Sequence, residues 1–429
     1  MSKPALLGGT PVRTRPYPPY NPVDAQARAR ANQVLESGLL SGFLGRGNEQ
    51  FFGGPVVREL EDALQATFGA RHAVTVNSAT SGLHAALVAA GVGPGDEVIV
   101  PPITMSATAA AVMMCSATPV FCDVEPDLFC LDARAAEELV SPRTRVIIPV
   151  NLFGQAADLG PLRELADRHG LMLVEDNAQA PGALYHGRKA GTIGHMGVLS
   201  FNRHKTLQCG EGGAVLTDDP RLARRLQLVR NHGEVVLPDW GTIEDADIVG
   251  YNYRLTELQA AVVIPQLARL EDLNRPRVEL AAQLTQGLAA FDFLLPAQVR
   301  EASTHVYYLY PLLYARERLG LSRTTLLRAL AAEGVHAAPY VTPLHELALF
   351  RLRQLNADGK LARPFTGRGD MLPGIACRCP VAEALAHEQL LVTNICRPPH
   401  EAVEVQQFLA AMEKIALHRD ALRRWEETT

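Results

Sequence analysis

Residues 146–179 read VIIPVNLFGQAADLGPLRELADRHGLMLVEDNAQ, and their reading decides the fold. Val146–Asn151 and Leu171–Glu175 are short apolar runs. Between them, Leu159–His169 carries apolar residues at helical spacing. Strand, helix, strand in so short a span points to parallel strands joined by a crossover helix. Strands apolar along their whole length are buried on both faces, as parallel sheets require. The segment Val174-Glu175-Asp176-Asn177-Ala178-Gln179 then sets a carboxylate at the carboxyl end of the second strand. Ligands of open α/β sheets bind outside that end. A strand end followed by a turn would also favour Asp and Asn, so this segment does not name a ligand by itself.

The alternation extends both ways. Upstream, strands are expected at His72–Asn77, Glu97–Val100 and Pro119–Asp123, with helices at Glu59–Phe68, Ser81–Ala90, Ala107–Cys115 and Ala133–Val140. Downstream follow strands Val198–Phe201 and Gly213–Thr217. The fold class is α/β: a mostly parallel seven-stranded sheet between helices. After Asn252 the pattern is helical, over Thr256–Leu273 and Arg277–Ala289. Composition shifts near Phe291, and a strand at Tyr307–Leu313 with helices at Ser322–Glu333 and Glu401–Ile415 suggests a smaller α/β domain. Residues 1–50, rich in Pro, Arg and Gly around one helix at Val23–Ser37, read as an arm. The expected division is an arm over 1–50, a large domain over 51–290 and a small domain over 291–429. Residues 353–380 read as loop.

With 429 residues the chain exceeds what one core supports. Its net charge of −5 comes with dispersed Lys and Arg, which argues against nucleic acid as a partner. No run of about 18 apolar residues exists, so no membrane span is expected. The N-terminus lacks a signal-peptide pattern and the seven cysteines are scattered, which points to a reduced, cytoplasmic protein. Cys377 and Cys379, with Cys396 and His400, are too sparse a set for a metal, and none is expected.

Three segments carry chemistry. Asn77-Ser78-Ala79-Thr80-Ser81-Gly82 lies between a strand and a helix, where free N–H groups and the helix dipole attract phosphate. The same residues are ordinary N-caps. Asp176 could hold a protonated ring nitrogen. Ser200-Phe201-Asn202-Arg203-His204-Lys205, followed by a Gly-rich run to Gly213, sets one lysine on a loop between apolar strands. Lysine forms Schiff bases where desolvation or a neighbouring cation lowers its pKa.

The order and spacing of the three resemble one family. NSATSGLHAAL, GPGDEVIVPP, VIIPVNLFGQ, VEDNAQAPGA, SFNRHKTLQCGEGG and GYNYRLTELQAAV resemble the DegT/StrS sugar aminotransferases, within the fold-type-I pyridoxal phosphate (PLP) enzymes. The resemblance runs from about Gly42 to Ile415. It implies PLP bound as a Schiff base to Lys205, which would also shuttle the proton. It implies that Asp176 pairs with the pyridine nitrogen and that Gln179 lies near the phenolic oxygen. Thr80, Ser81 and Ser200 match phosphate-binding positions. Asn252 matches a residue that reaches the cofactor of the neighbouring subunit, hence a homodimer with shared active sites. Met105 stands where many relatives place an aromatic residue that stacks on the ring.

The implied reaction is a ping-pong transamination. L-glutamate or L-glutamine would donate an amine to a ketone on a sugar or cyclitol, in secondary-metabolite or cell-surface sugar biosynthesis. Pro343-Leu344-His345 and Pro380-Val381-Ala382-Glu383 lean toward the cyclitol branch. Arg254 and Arg230 are candidates for the donor carboxylate, and His305 and Tyr307 for a polyol. The alternatives are a PLP-dependent sugar dehydratase and a non-catalytic PLP-binding regulatory protein. Relatives that dehydrate carry histidine in place of the lysine, so Lys205 opposes the first.

Overall fold

The computed structural model describes residues 2–240, 245–296, 298–351 and 378–428. The large sheet has seven strands: β1 (His72–Val76), β2 (Glu97–Val100), β3 (Thr118–Phe121), β4 (Thr144–Ile147), β5 (Met172–Asp176), β8 (Met196–Ser200) and β9 (Gly213–Thr217). Between β5 and β8 a small hairpin pairs β6 (Leu184–Tyr185) with β7 (Arg188–Lys189). The order across the large sheet is β1-β9-β8-β5-β4-β2-β3. Every pair is parallel except those of β9, which runs against both β1 and β8. Almost every position of these strands is buried, which explains their unbroken apolar text.

The parallel strands all open their carboxyl ends at one edge. Because β9 is reversed, its first residue, Gly213, sits at that same edge between Val76 and Ser200. The lysine loop, residues 201–212, therefore spans from the end of β8 to the start of β9 along the ligand edge.

Helices cover the sheet. Ala79–Ala89 follows β1 with Ser78 as its cap, and Leu159–His169 connects β4 to β5. The helical region after Asn252 differs from expectation. The break falls at Ala268–Arg269, between helices Glu257–Leu267 and Leu270–Leu288, and the second runs on through Pro276. A proline costs one backbone bond there. Burial on both sides offsets it: Leu270 packs in a core beside the sheet, and Leu280, Ala281, Leu284 and Leu288 pack in the C-terminal core.

That second core surrounds an antiparallel sheet of β10 (Leu294–Pro296), β11 (Tyr310–Tyr314) and β12 (Leu390–Thr393), with helices Arg323–Ala332 and Ala402–Leu417. The residues before Asp24 touch both units. Ala5 and Val12 donate backbone N–H groups to Glu333, and Tyr20 Oη donates to the Thr206 carbonyl at 2.7 Å. Glu333 also forms a buried pair with Lys414 at 2.9 Å. Most of the stretch read as loop, and Cys377, lie outside the described residues. Cys379, Cys396 and His400 are separately packed, with His400 Nδ1 against the Ile395 carbonyl and its ring 4.8 Å from Tyr17.

Candidate active site

Asp176 closes β5 at the ligand edge and is 6% exposed. Its Oδ2 accepts from Thr108 Oγ1 at 2.9 Å and its Oδ1 from the Ala178 N–H at 3.2 Å. Burial pushes its pKa up, while the Thr108 hydroxyl, the charge of Lys205 and the Ala178 N–H pull it back. A carboxylate in that position gains from a further cation.

Lys205 is half-buried on a braced loop. Its N–H donates to the Asn202 carbonyl at 2.8 Å, and Gln208 exchanges two hydrogen bonds with Gln266. Its Nζ stands 4.5 Å from the centroid of the Tyr308 ring. Gln179 is held at both ends: Oε1 accepts from the Phe153 N–H at 2.9 Å and Nε2 donates to Tyr340 Oη at 3.0 Å.

The two expected phosphate segments meet across Gly213. A Cβ built there would lie 2.8 Å from Ala79 N, from the Ser78 carbonyl carbon and from Leu199 O. Only glycine lets the β1 loop and the end of β8 approach so closely. Ser78 Oγ caps the helix by accepting from Ser81 N–H at 3.1 Å, and Ser81 Oγ donates to Asn77 Oδ1 at 2.5 Å. Thr80 is exposed in the same turn, and Ser200 is buried beside it in the sheet register. A helix N-terminus, four hydroxyls and a cradle that a Cβ would fill suit a phosphate dianion. Met105, 63% exposed, lies three residues before Thr108 on the turn that enters helix Ala107–Met114.

Asn252 has an exposed side chain, and its carbonyl accepts from Asn77 Nδ2 at 3.3 Å. Its segment thus lies against this chain's own phosphate turn. Tyr253, next to it, accepts from the Asn77 N–H and meets His84 Nδ1 at 3.0 Å.

The four substrate candidates are engaged by other partners. Arg230 is wholly buried, with Nη1 on Glu61 Oε1 at 2.5 Å and on the Thr75 carbonyl at 3.3 Å, so its charge is already paired. Arg254 donates from Nε to Asn231 Oδ1 at 2.7 Å. His305 is buried, its ring 4.0 Å from that of Tyr307 and its Nδ1 accepting from the Tyr307 N–H, and burial drives its pKa down to about 3. Tyr307 stacks on Tyr310 in the C-terminal core. Both are packing residues that precede β11, which begins three residues later than expected. Sequence reasoning missed Thr108, Tyr308 and Tyr340. The one signal was a hydroxyl in the otherwise apolar run Ala107–Met114, which a buried position obliges to find a partner.

An α/β enzyme with a lysine, a buried carboxylate and a phosphate cradle on one sheet edge is a pyridoxal-phosphate enzyme in design. Residues 45–374 match the model of the DegT/DnrJ/EryC1/StrS aminotransferase family. The chain belongs to that family and is a PLP-dependent aminotransferase. It is 39% identical over 293 residues to GDP-perosamine synthase of Caulobacter vibrioides, covering 68% of this chain and 78% of that protein. DesV of S. venezuelae superposes with a TM-score of 0.76 at 35% identity, covering 91% of this chain and 94% of the other. DesI, solved with its TDP-sugar product, gives 0.79 at 29% identity, covering 99% and 98%. Among the described residues no helix is long and apolar enough to cross a membrane.

Proposed function

We propose that the protein carries an amino group from L-glutamate or L-glutamine to the ketone of a nucleotide-linked sugar. The observation that carries this reading is Asp176, buried at the end of β5, held by Thr108 and within the field of Lys205. The cofactor, when bound, supplies an electron sink conjugated to the reacting carbon. The remaining work falls to side chains. Asp176 would hold a ring N–H⁺ and keep it protonated. Lys205 moves one proton at the carbon that bears the amine in each half-reaction, and one mobile lysine serves both. Ser78, Thr80, Ser81 and Ser200 would hold the phosphate, Gln179 would meet the ring oxygen, and Met105 would lie against the ring. In a homodimer the exposed Asn252 side chain reaches the phosphate held by the partner subunit. The likeness to GDP-perosamine synthase, and to DesI with its TDP-sugar product, supports a sugar on a nucleotide over a cyclitol. Such substrates and donors are cytoplasmic metabolites, which agrees with a cytoplasmic enzyme.

The test begins with the purified protein. Borohydride should fix the cofactor to the wild type and not to Lys205→Ala; a fixed cofactor in that variant would sink the assignment. L-glutamate or L-glutamine should bleach the visible band, and a panel of nucleotide keto-sugars and keto-cyclitols should restore it. A band that no amino acid moves refutes transamination. Restoration by keto-cyclitols alone would move the acceptor to that class.

A further inference from the structure

Arg277, on the helix Leu270–Leu288, has a wholly buried side chain whose Nε, Nη1 and Nη2 make no hydrogen bond of ordinary geometry. Its polar company is the phenols of Tyr20 and Tyr308 and a second guanidinium, that of Arg397. One ring receives both charges: the Tyr20 centroid is 5.0 Å from the guanidinium carbon of Arg277 and 6.0 Å from that of Arg397. Among the described residues no carboxylate lies within ion-pair distance of either arginine. Buried charges are ordinarily paired. This pair of like charges is stable as a resting arrangement only at a cost, and an arriving anion relieves it.

The cluster borders the lysine. Tyr308 faces both arginines and stands under Lys205 Nζ. Tyr20 Oη is tied to the carbonyl of Thr206, the residue after Lys205. We propose that Arg397, half-buried beside Tyr308, receives the α-carboxylate of the amino donor, with Arg277 behind it as a buried second charge. The assignment rests on the aminotransferase reading. An α-amino acid carries its amine and carboxylate on one carbon. Its carboxylate must therefore dock within a few ångströms of the atom that Lys205 serves. The phosphates of a nucleotide-linked sugar are held away from the ketone by the sugar ring, and they call for a cationic site farther out. Arg230, engaged by Glu61, is closed to this task, and Arg254 lies on Asn231 instead. Arg277 needs no direct contact, because its charge acts through a dry interior where attraction is weakly screened.

Calorimetry on the loaded enzyme tests this, with L-glutamate and with succinate as an unreactive carboxylate probe. Arg397→Met should weaken both by about 10- to 100-fold, the range for losing a charged hydrogen bond. Arg397→Lys should recover part of that loss. Arg277→Met should weaken both as well, and its melting temperature should stay level or rise, because an apolar side chain in place of an unpaired buried charge is neutral or stabilising. Affinity for the amino sugar product, which lacks the carboxylate, should move less than twofold. Unchanged succinate and glutamate affinity in Arg397→Met overturns the assignment. So does an equal loss for the amino sugar, or a loss of nucleoside diphosphate binding with succinate retained. If succinate binding depends on Arg397 while no donor moves the visible band, the anion site stands and transamination falls.

Discussion

Thr108 and Asp176 are 68 positions apart in the chain and 2.9 Å apart in the fold. Among the described residues the hydroxyl is the one side-chain donor that holds the carboxylate in its ionised form against burial. Thr108→Val keeps the shape and removes the donor. It should lower kcat/KM by about 10- to 100-fold, the worth of a hydrogen bond to a charged group. Asp176→Asn should cost more, about 10²- to 10³-fold, as loss of a preorganised charge does. Steady-state kinetics with saturating cofactor checks both, and a Thr108→Val variant with wild-type rates would free Asp176 from this dependence. The same scale shows where sequence reading stops. That Lys205 and Asp176 lie at one sheet edge was legible from the order and spacing of their segments, each of which ends an apolar strand. Tyr308 was not, although its neighbours Tyr307 and His305 were singled out. Strand alternation would put 305 and 307 on one face toward the site. Tyr307 instead adopts φ +48°, in the left-handed region, and the strand begins only at Tyr310. That reversal buries Tyr307 and turns Tyr308 to the lysine.

Strands β1, β8 and β9 form the proposed phosphate cradle as a set, and at Gly213 the turn after β1 and the end of β8 both come close to β9. Gly213→Ala would push a methyl against Ala79 N, the Ser78 carbonyl carbon and Leu199 O, all backbone atoms that cannot swing aside. Overpacking of this kind costs about 1–3 kcal/mol. The strain falls on the turn that caps helix Ala79–Ala89, so cofactor affinity should drop at least about tenfold, an equivalent of 1.4 kcal/mol. Fluorescence titration of the stripped enzyme with cofactor would report it, and an unchanged dissociation constant would remove Gly213 from the cradle. All seven strands of the large sheet were readable as elements, because burial on both faces leaves a continuous apolar text. The antiparallel course of β9 was not readable. Nothing in Gly213–Thr217 records direction, and a fully buried strand looks alike either way. β12 escaped notice for another reason. It is short, the four residues Leu390–Thr393, and follows directly on the helical turns of residues 380–389, with no turn signal between them.

At the scale of the whole molecule, burial of histidines ties stability to pH. His305 is the cleanest case, since desolvation alone lowers its pKa to about 3, with no charged neighbour contributing. In the unfolded chain it titrates near 6.5. The folded state holds it neutral, so below pH 6.5 the unfolded state binds one more proton. Stability from this group is complete above 6.5 and is lost as pH falls toward 3, by about 1.4 kcal/mol per unit well below 6.5. His84, lowered to about 4 by burial, acts in the same direction. Glu175 and Asp176 are pushed up by burial and act in the opposite direction. The wild-type curve therefore mixes the two signs, and a difference measurement separates them. His305→Gln keeps an acceptor for the Tyr307 N–H and has no site that takes up a proton. Denaturant unfolding at pH 7.5, 6.5, 5.5 and 4.5 should show the variant less stable than wild type at the high end, where it lacks only packing. That deficit should shrink by about 2 kcal/mol by pH 4.5, because the variant is spared the protonation that the wild type suffers. A deficit that stays constant across the series would mean that His305 takes up its proton in the fold as readily as in the unfolded chain, and that its surroundings are wetter than their packing implies.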